Sequence, residues 1–354
     1  MKEDEGEGGR KLPRRQALLL LAGLPQVLFG LGSVGASWEW AGGGRRGEGR
    51  LREEVLPVVA GSITACWHLL NEGEFETVER TVGDYLPLLR RWAYEPSGVQ
   101  QEAAYLGAQA CLLQGLIAYH RLQFQRKKYL CEEAVSLSRL AGEPVLLVKA
   151  LIDRGRACYW LGQSESTLES FQEACSLAGT VPAPLQGRAF MSLARAYADR
   201  GMAGEALKAF ELARERFQGW TGIESLPVCV LLDEGAYREP LYGGYIHLRL
   251  GEYREQRSHF LEAERQLASI EEMVSVVSVP GRIRLEALNL RAEAAIGRGE
   301  LEEYVSYTVQ GAEGARRLGS GKRRQELVSN WRRALERWPG EKRVRELGEL
   351  LLWT

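Results

Sequence analysis

The sequence predicts an all-α fold, an α-α superhelix in which antiparallel helix hairpins stack side by side. Three observations predict it. Apolar residues recur at i, i+3, i+4 and i+7 along most of the 354 residues. Small residues and large rings fall at fixed distances within each periodic stretch. Short breaks, most holding a glycine, divide the stretches into pairs. A hydrophobic content of 45% is enough to bury a long core. Charge is balanced, with 46 Lys plus Arg against 47 Asp plus Glu, so no global field draws the chain to nucleic acid or to anionic lipid.

The clearest unit is residues 190–213. Phe190, Leu193, Ala194 and Tyr197 share one helical face, Gly201 suits the left-handed residue that ends a helix, and Ala206, Phe210 and Ala213 mark a second helix. A turn this short makes the two helices antiparallel neighbours. Ala194 and Ala206 let the backbones approach, and the rings fill the space between neighbouring hairpins. The same slots are occupied by Leu151, Gly155, Cys158, Gly162, Thr167, Phe171 and Ala174. They recur as Gly244, His247, Gly251, Gln256, Phe260 and Ala263, and as Leu288, Ala292, Ala295, Gly299, Tyr304 and Gly311. Two looser units keep Gly115 and Ala134, with Leu122 at the turn, and Cys66, Gly73 and Val82.

This spacing resembles the tetratricopeptide repeat, W-x2-L-G-x2-Y followed by A-x3-F and a small residue, over about residues 55–312. No unit holds the Trp. The turns Gly73, Leu122, Gly162, Gly201, Gly251 and Gly299 are 49, 40, 39, 50 and 48 residues apart, against 34 in the regular repeat. Longer helices or loops, such as residues 218–235, must absorb the difference. The resemblance implies an extended array whose first helices line a concave groove.

Three regions follow: a flexible stretch 1–50 containing an apolar segment 16–38, the tetratricopeptide-like array 51–315, and basic capping helices 316–354. Gly-rich, charged runs bracket the apolar segment. Between Gln16 and Trp38 no residue is charged, and Arg14-Arg15 precede it, so it resembles a twin-arginine export signal, with Ala17 and Pro13 departing from that pattern. A short helix docked on the first repeat is the other reading. Residues 316–338 hold eight Arg or Lys and two Glu. They are expected to form a cap with a solvated basic outer face, with Trp331, Leu335 and Trp338 turned inward. "GSGKRR" is not a phosphate loop, because Arg316 stands where the first glycine belongs and Arg323 replaces Ser or Thr.

No catalytic constellation is present, and the chain is expected not to be an enzyme. His68, His120, His247 and His259 stand singly, with no HExxH or G-x-S-x-G, and the six cysteines show no metal spacing. No cofactor and no metal are expected. Function then rests on surface. The inner face of the first helices is expected to carry Lys149, Arg156, Tyr159, Arg188, Arg195, Tyr242, Tyr245 and Arg249, a basic groove with aromatic shelves suited to an acidic segment or a carboxylate terminus. The expected function is a non-catalytic scaffold or regulator that binds a peptide or protein. Nucleic acid is disfavoured, and a membrane is open only through residues 16–38. The repeats resemble those behind DNA-binding domains in bacterial transcription regulators, which implies a cytoplasmic, bacterial regulator, here without a helix-turn-helix of its own. An exported or membrane-anchored array that assembles envelope components is the alternative.

Overall fold

The computed structural model of the chain describes residues 45–218, 227–231, 235–254, 256–277 and 279–352. The export-signal reading of residues 16–38 lies outside them, as does most of the loop 218–235. Among the described residues there is no strand, and no helix is long and apolar enough to cross a membrane.

The helices pair as hairpins. The first is α1 (Arg45–Asn71) with α2 (Phe75–Tyr94), and the second is α3 (Gln100–His120) with α4 (Phe124–Ala141). Next come α5 (Pro144–Trp160) with α6 (Ser164–Ser176), and α7 (Ala183–Ala198) with α8 (Ala203–Gln218). A short α9 (Val228–Leu231) intervenes before α10 (Arg238–Arg254) with α11 (Arg257–Met273). The chain ends with α12 (Gly281–Arg298), α13 (Leu301–Leu318), α14 (Gly321–Arg337) and α15 (Lys342–Leu351). The fold is thus an α-α superhelix of tetratricopeptide-like hairpins.

The spacing of small residues and rings is a packing code. A Cβ placed on Gly155 of α5 would lie 2.4 Å from the Phe171 ring of α6, so the ring seats directly on the bare backbone. Ala194, Ala206 and Ala213 are fully buried between α7 and α8, and Phe210 reaches across to Gly243 of the next hairpin. The turns follow the same logic. Gly73, Gly162, Gly201 and Gly299 have positive φ, and so does Leu122 at 62°, the slot where the second unit lacks its glycine. Gly251 departs from the expected turn. It lies inside α10, which runs on to Arg254, and its missing side chain makes room for Phe260 of α11. Longer helices absorb part of the irregular spacing, as in the 20 residues of α2 and the 21 of α3 between the turns at Gly73 and Leu122.

The array does not run out straight. The end of α3 meets the start of α14, 200 residues later in sequence, where His120 Nδ1 lies 2.7 Å from Ser320 Oγ. Arg323 Nη2 donates to Tyr119 Oη at 3.4 Å, and Arg282 Nε of α12 donates to Asn71 Oδ1 of α1 at 3.2 Å. This return closes over the end of α3, which buries 17 of its 21 residues because α1, α2, α4 and α5 also pack around it. It also changes the reading of the basic C-terminal stretch. Trp331, Leu335 and Trp338 do face a core of α12–α15, but Lys322 and Arg323 are buried inside the curl, not displayed on a solvated outer face.

Candidate functional site

The curl forms a half-open cavity of about 950 Å³, walled by the inner faces of α5, α7, α10, α12 and α14. Helical spacing delivers the wall residues. Tyr245, Arg249 and Glu252 fall at i, i+4 and i+7 of one stripe of α10, and Glu286, Asn289 and Glu293 at i, i+3 and i+7 of one stripe of α12. On α14 the stripe is Lys322, Glu326, Asn330 and Arg333. Six cations line the cavity (Arg195, Arg249, Lys322, Arg324, Arg332 and Arg333) against four carboxylates (Glu252, Glu286, Glu293 and Glu326). No histidine or cysteine lines it, and among the described residues no group of three or more His, Cys, Asp or Glu could hold a metal ion.

Arg195 sits at the centre of the α5–α7–α10 wall. Its guanidinium lies 3.7 Å from the centroid of the Tyr245 ring, 4.8 Å from that of Tyr159 and 6.0 Å from that of Trp160. Rings on this scale of distance attract a cation through their quadrupole, more strongly when water is excluded. Burial opposes the Arg195 charge, but Tyr245, Tyr159 and Asp199 outweigh it and hold the group firmly protonated. The two tyrosines are bonded in series. Tyr245 Oη donates to Asp199 Oδ1 at 2.8 Å, which uses its one hydrogen, so Tyr159 Oη donates to Tyr245 Oη at 2.8 Å.

Glu286 is the anionic counterweight on the far wall. Burial alone would raise its pKa, but Arg323, Arg156, Arg238 and Arg195 together pull the carboxyl below the usual range. Arg323 Nη2 donates to Glu286 Oε2 at 3.0 Å and Arg323 Nη1 to Glu326 Oε2 at 2.8 Å. Further along, Glu293 accepts from both Arg249 and Arg333. Lys322 Nζ lies 3.6 Å from the centroid of the Trp160 ring and 3.1 Å from Glu326 Oε1, so α14 is a wall of the cavity as well as a cap.

Of the eight residues expected in the groove, Tyr159, Arg195, Tyr245 and Arg249 line the cavity. Arg156 and Tyr242 line a small recess that opens beside it. Lys149 and Arg188 line neither. Lys149 is buried with its Nζ 3.1 Å from Asp153 Oδ2, and Arg188 is buried with its guanidinium 4.4 Å from the Tyr242 ring centroid. Tyr242 shows the local field. Burial would raise its pKa, but Arg188, Arg156, Arg195 and Arg238 pull it below the ordinary tyrosine value. Sequence reasoning passed over Trp160, Glu286, Asn289, Glu293, Lys322 and Arg333. The periodic stripe on α12 was a usable signal; the return of α14 was not, since nothing local announces a contact across 200 residues.

No protein-family model matches the chain, and no curated protein sequence matches it. Among solved structures it is similar to NprR in complex with its cognate peptide NprX, at 11% identity over 95% of this chain and 86% of that one, with a TM-score of 0.48. It is similar also to the P58(IPK) TPR domain, at 12% identity over 86% of this chain and 84% of that one, with a TM-score of 0.25. At these values neither likeness bears on the site, which stands on the contacts above.

Proposed function

We propose that the chain is a non-catalytic interaction module, a scaffold or regulator of the cytoplasm, that holds a short extended peptide segment with an acidic group or a carboxylate terminus inside the curl. The observation that carries this reading is the Arg195 guanidinium between the Tyr159 and Tyr245 rings, on the wall of a half-open cavity in which cations outnumber carboxylates. A volume of about 950 Å³ is at the upper end of the range for small-ligand pockets, ~300–1,000 Å³. It suits a few residues of peptide and is too small for a folded domain. Aromatic shelves give contact area at low entropy cost, and the cations select charge.

The test is a displayed library of random hexapeptides panned against the full chain, with recovered sequences synthesised and measured by calorimetry. Recovered peptides are expected to carry Asp, Glu or a free C-terminus, and their binding to weaken with salt. Recovery of no peptide above background, or of basic peptides, would contradict the reading.

A further inference from the structure

Seven described residues have positive φ, six glycines and Leu122, and of these only Leu122 lines the cavity. An L side chain in the left-handed region is strained, and the turns at Gly73, Gly162, Gly201 and Gly299 avoid that strain with glycine. Leu122 also leaves 38% of its surface open to water. A lone exposed leucine is ordinary. One held on a strained backbone, where glycine would remove both costs, points to a use for its side chain.

The surroundings of Leu122 show what that use is. Its side chain runs beside the start of α14, where a Cβ on Gly321 would lie 3.7 Å from Leu122 Cδ1. Two residues on, the Phe124 ring stacks on the Trp160 ring with centroids 5.8 Å apart. Both rings are half-buried and line the cavity with Leu122, so all three keep surface that a ligand can reach. The Lys322 charge over the Trp160 ring is already met by Glu326. Arg332 and Arg333 stand eleven and twelve residues past Gly321 on the same wall, or ~17 Å along α14. That is the length of about five extended residues. We infer that Leu122, Phe124 and Trp160 form a subsite for one large apolar side chain of the peptide, with Leu122 as its specificity-determining residue. This rests on the peptide reading above and adds a second requirement: an apolar side chain at one end of a segment whose acidic group or carboxylate reaches the basic end. An apolar side chain there takes the exposed surface of Leu122 out of water. A polar one would be desolvated against a leucine and two rings, with nothing to pair with.

The test is a two-by-two comparison on the full chain. One axis is the hexapeptide recovered by panning against the same peptide with its large apolar residue changed to Ala. The other is wild type against Leu122→Gly, which installs the residue of the other turns. On wild type the Ala peptide is expected to bind at least tenfold more weakly than its parent. On Leu122→Gly that penalty is expected to shrink to threefold or less, with the urea midpoint unchanged or raised. Equal penalties on the two chains would overturn the inference and leave the peptide reading intact. Recovery of hexapeptides with no large apolar residue would do the same, whereas recovery of none removes both. If Leu122→Gly lowers the urea midpoint, Leu122→Asn takes its place, since asparagine tolerates positive φ. Wild type also decides without any variant. With a photo-reactive leucine at the apolar position of the peptide, attachment at Leu122, Phe124 or Trp160 supports the subsite, and attachment elsewhere in the cavity refutes it.

Discussion

His120 Nδ1 and Ser320 Oγ meet at 2.7 Å, joining the end of α3, at the turn of the second hairpin, to the start of α14. The same Ser320 Oγ accepts from the Arg323 backbone N–H at 3.2 Å, so one hydroxyl both caps α14 and seals the curl. His120 in turn stacks on Phe75 at 4.8 Å. Ser320→Ala removes the cap and leaves a buried imidazole nitrogen unpaired. It should cost about 1–3 kcal/mol in urea unfolding. A loss below about 0.5 kcal/mol would mean the seam is not a stabilising contact.

The seam also sets a pH dependence. His120 is held neutral chiefly by burial, with Arg323 and Arg282 next, while Glu286 works the other way and Lys127 again opposes its charge. Its folded pKa lies well below the ordinary value near 6.5. On acidification the unfolded chain takes up this proton first, so the contribution is complete above about pH 6.5 and declines as pH falls below it. Midpoints of urea unfolding should therefore drop between pH 7 and pH 5, and His120→Gln should flatten that slope. Glu286, whose folded pKa is depressed, should add a further loss only below the ordinary carboxylate range, near 4.5.

Hairpin packing is tested at two positions of the fourth helix pair. Ala194 is fully buried between α7 and α8, so Ala194→Phe should overpack the pair by about 1–3 kcal/mol. Gly201 has φ at 72° in the turn that follows, where a β-branched side chain is strained, so Gly201→Val should destabilise by about 1–2 kcal/mol. Thermal melts of both variants that overlay the parent would contradict the slot assignment.

These slots were legible in the sequence because they are local. Gly155 with Phe171, or Ala194 with Ala206, need only helical period and a short turn to be placed. Leu122 was legible as a turn residue from its position alone, although its type argues against positive φ. Gly251 was misread because a glycine after an apolar run looks like a helix end, and only the Phe260 ring against it shows that it serves packing. Arg195, Tyr159, Tyr245 and Arg249 were placed on one inner face by period. Glu286, Lys322 and Arg333 were not, because their place at the cavity depends on how far seven hairpins curl, a sum of small rotations that no single stretch encodes. Reading Lys322 and Arg323 as solvated charge failed for the same reason: Glu326 is a local partner of Arg323 on α14, but Glu286 of α12 and Tyr119 of α3 meet it only through the packing of helices distant in sequence.

Ligand binding should depend on Arg195 through charge and through the ring stack together. Arg195→Met keeps bulk, removes the cation, and should weaken the recovered hexapeptide by about tenfold, or ~1.4 kcal/mol, as for a charged contact in a desolvated site. The dependence of affinity on ionic strength should be shallower in Arg195→Met than in wild type. Glu211→Lys on the exposed outer face of α8, where Glu211 pairs with Arg214, should leave affinity unchanged.

The central claim is that the inside of the curl is where a partner sits, and photo-crosslinking places it directly. The recovered hexapeptide, carrying a benzophenone at each position in turn, is irradiated with the full chain, and the attachment sites are read by mass spectrometry. Attachment is predicted at inner residues, Tyr159, Trp160 and Tyr245 foremost, and should fall in Arg195→Met. Attachment confined to outer-face residues such as Lys208 and Glu211 would contradict the claim and place the partner on the convex surface.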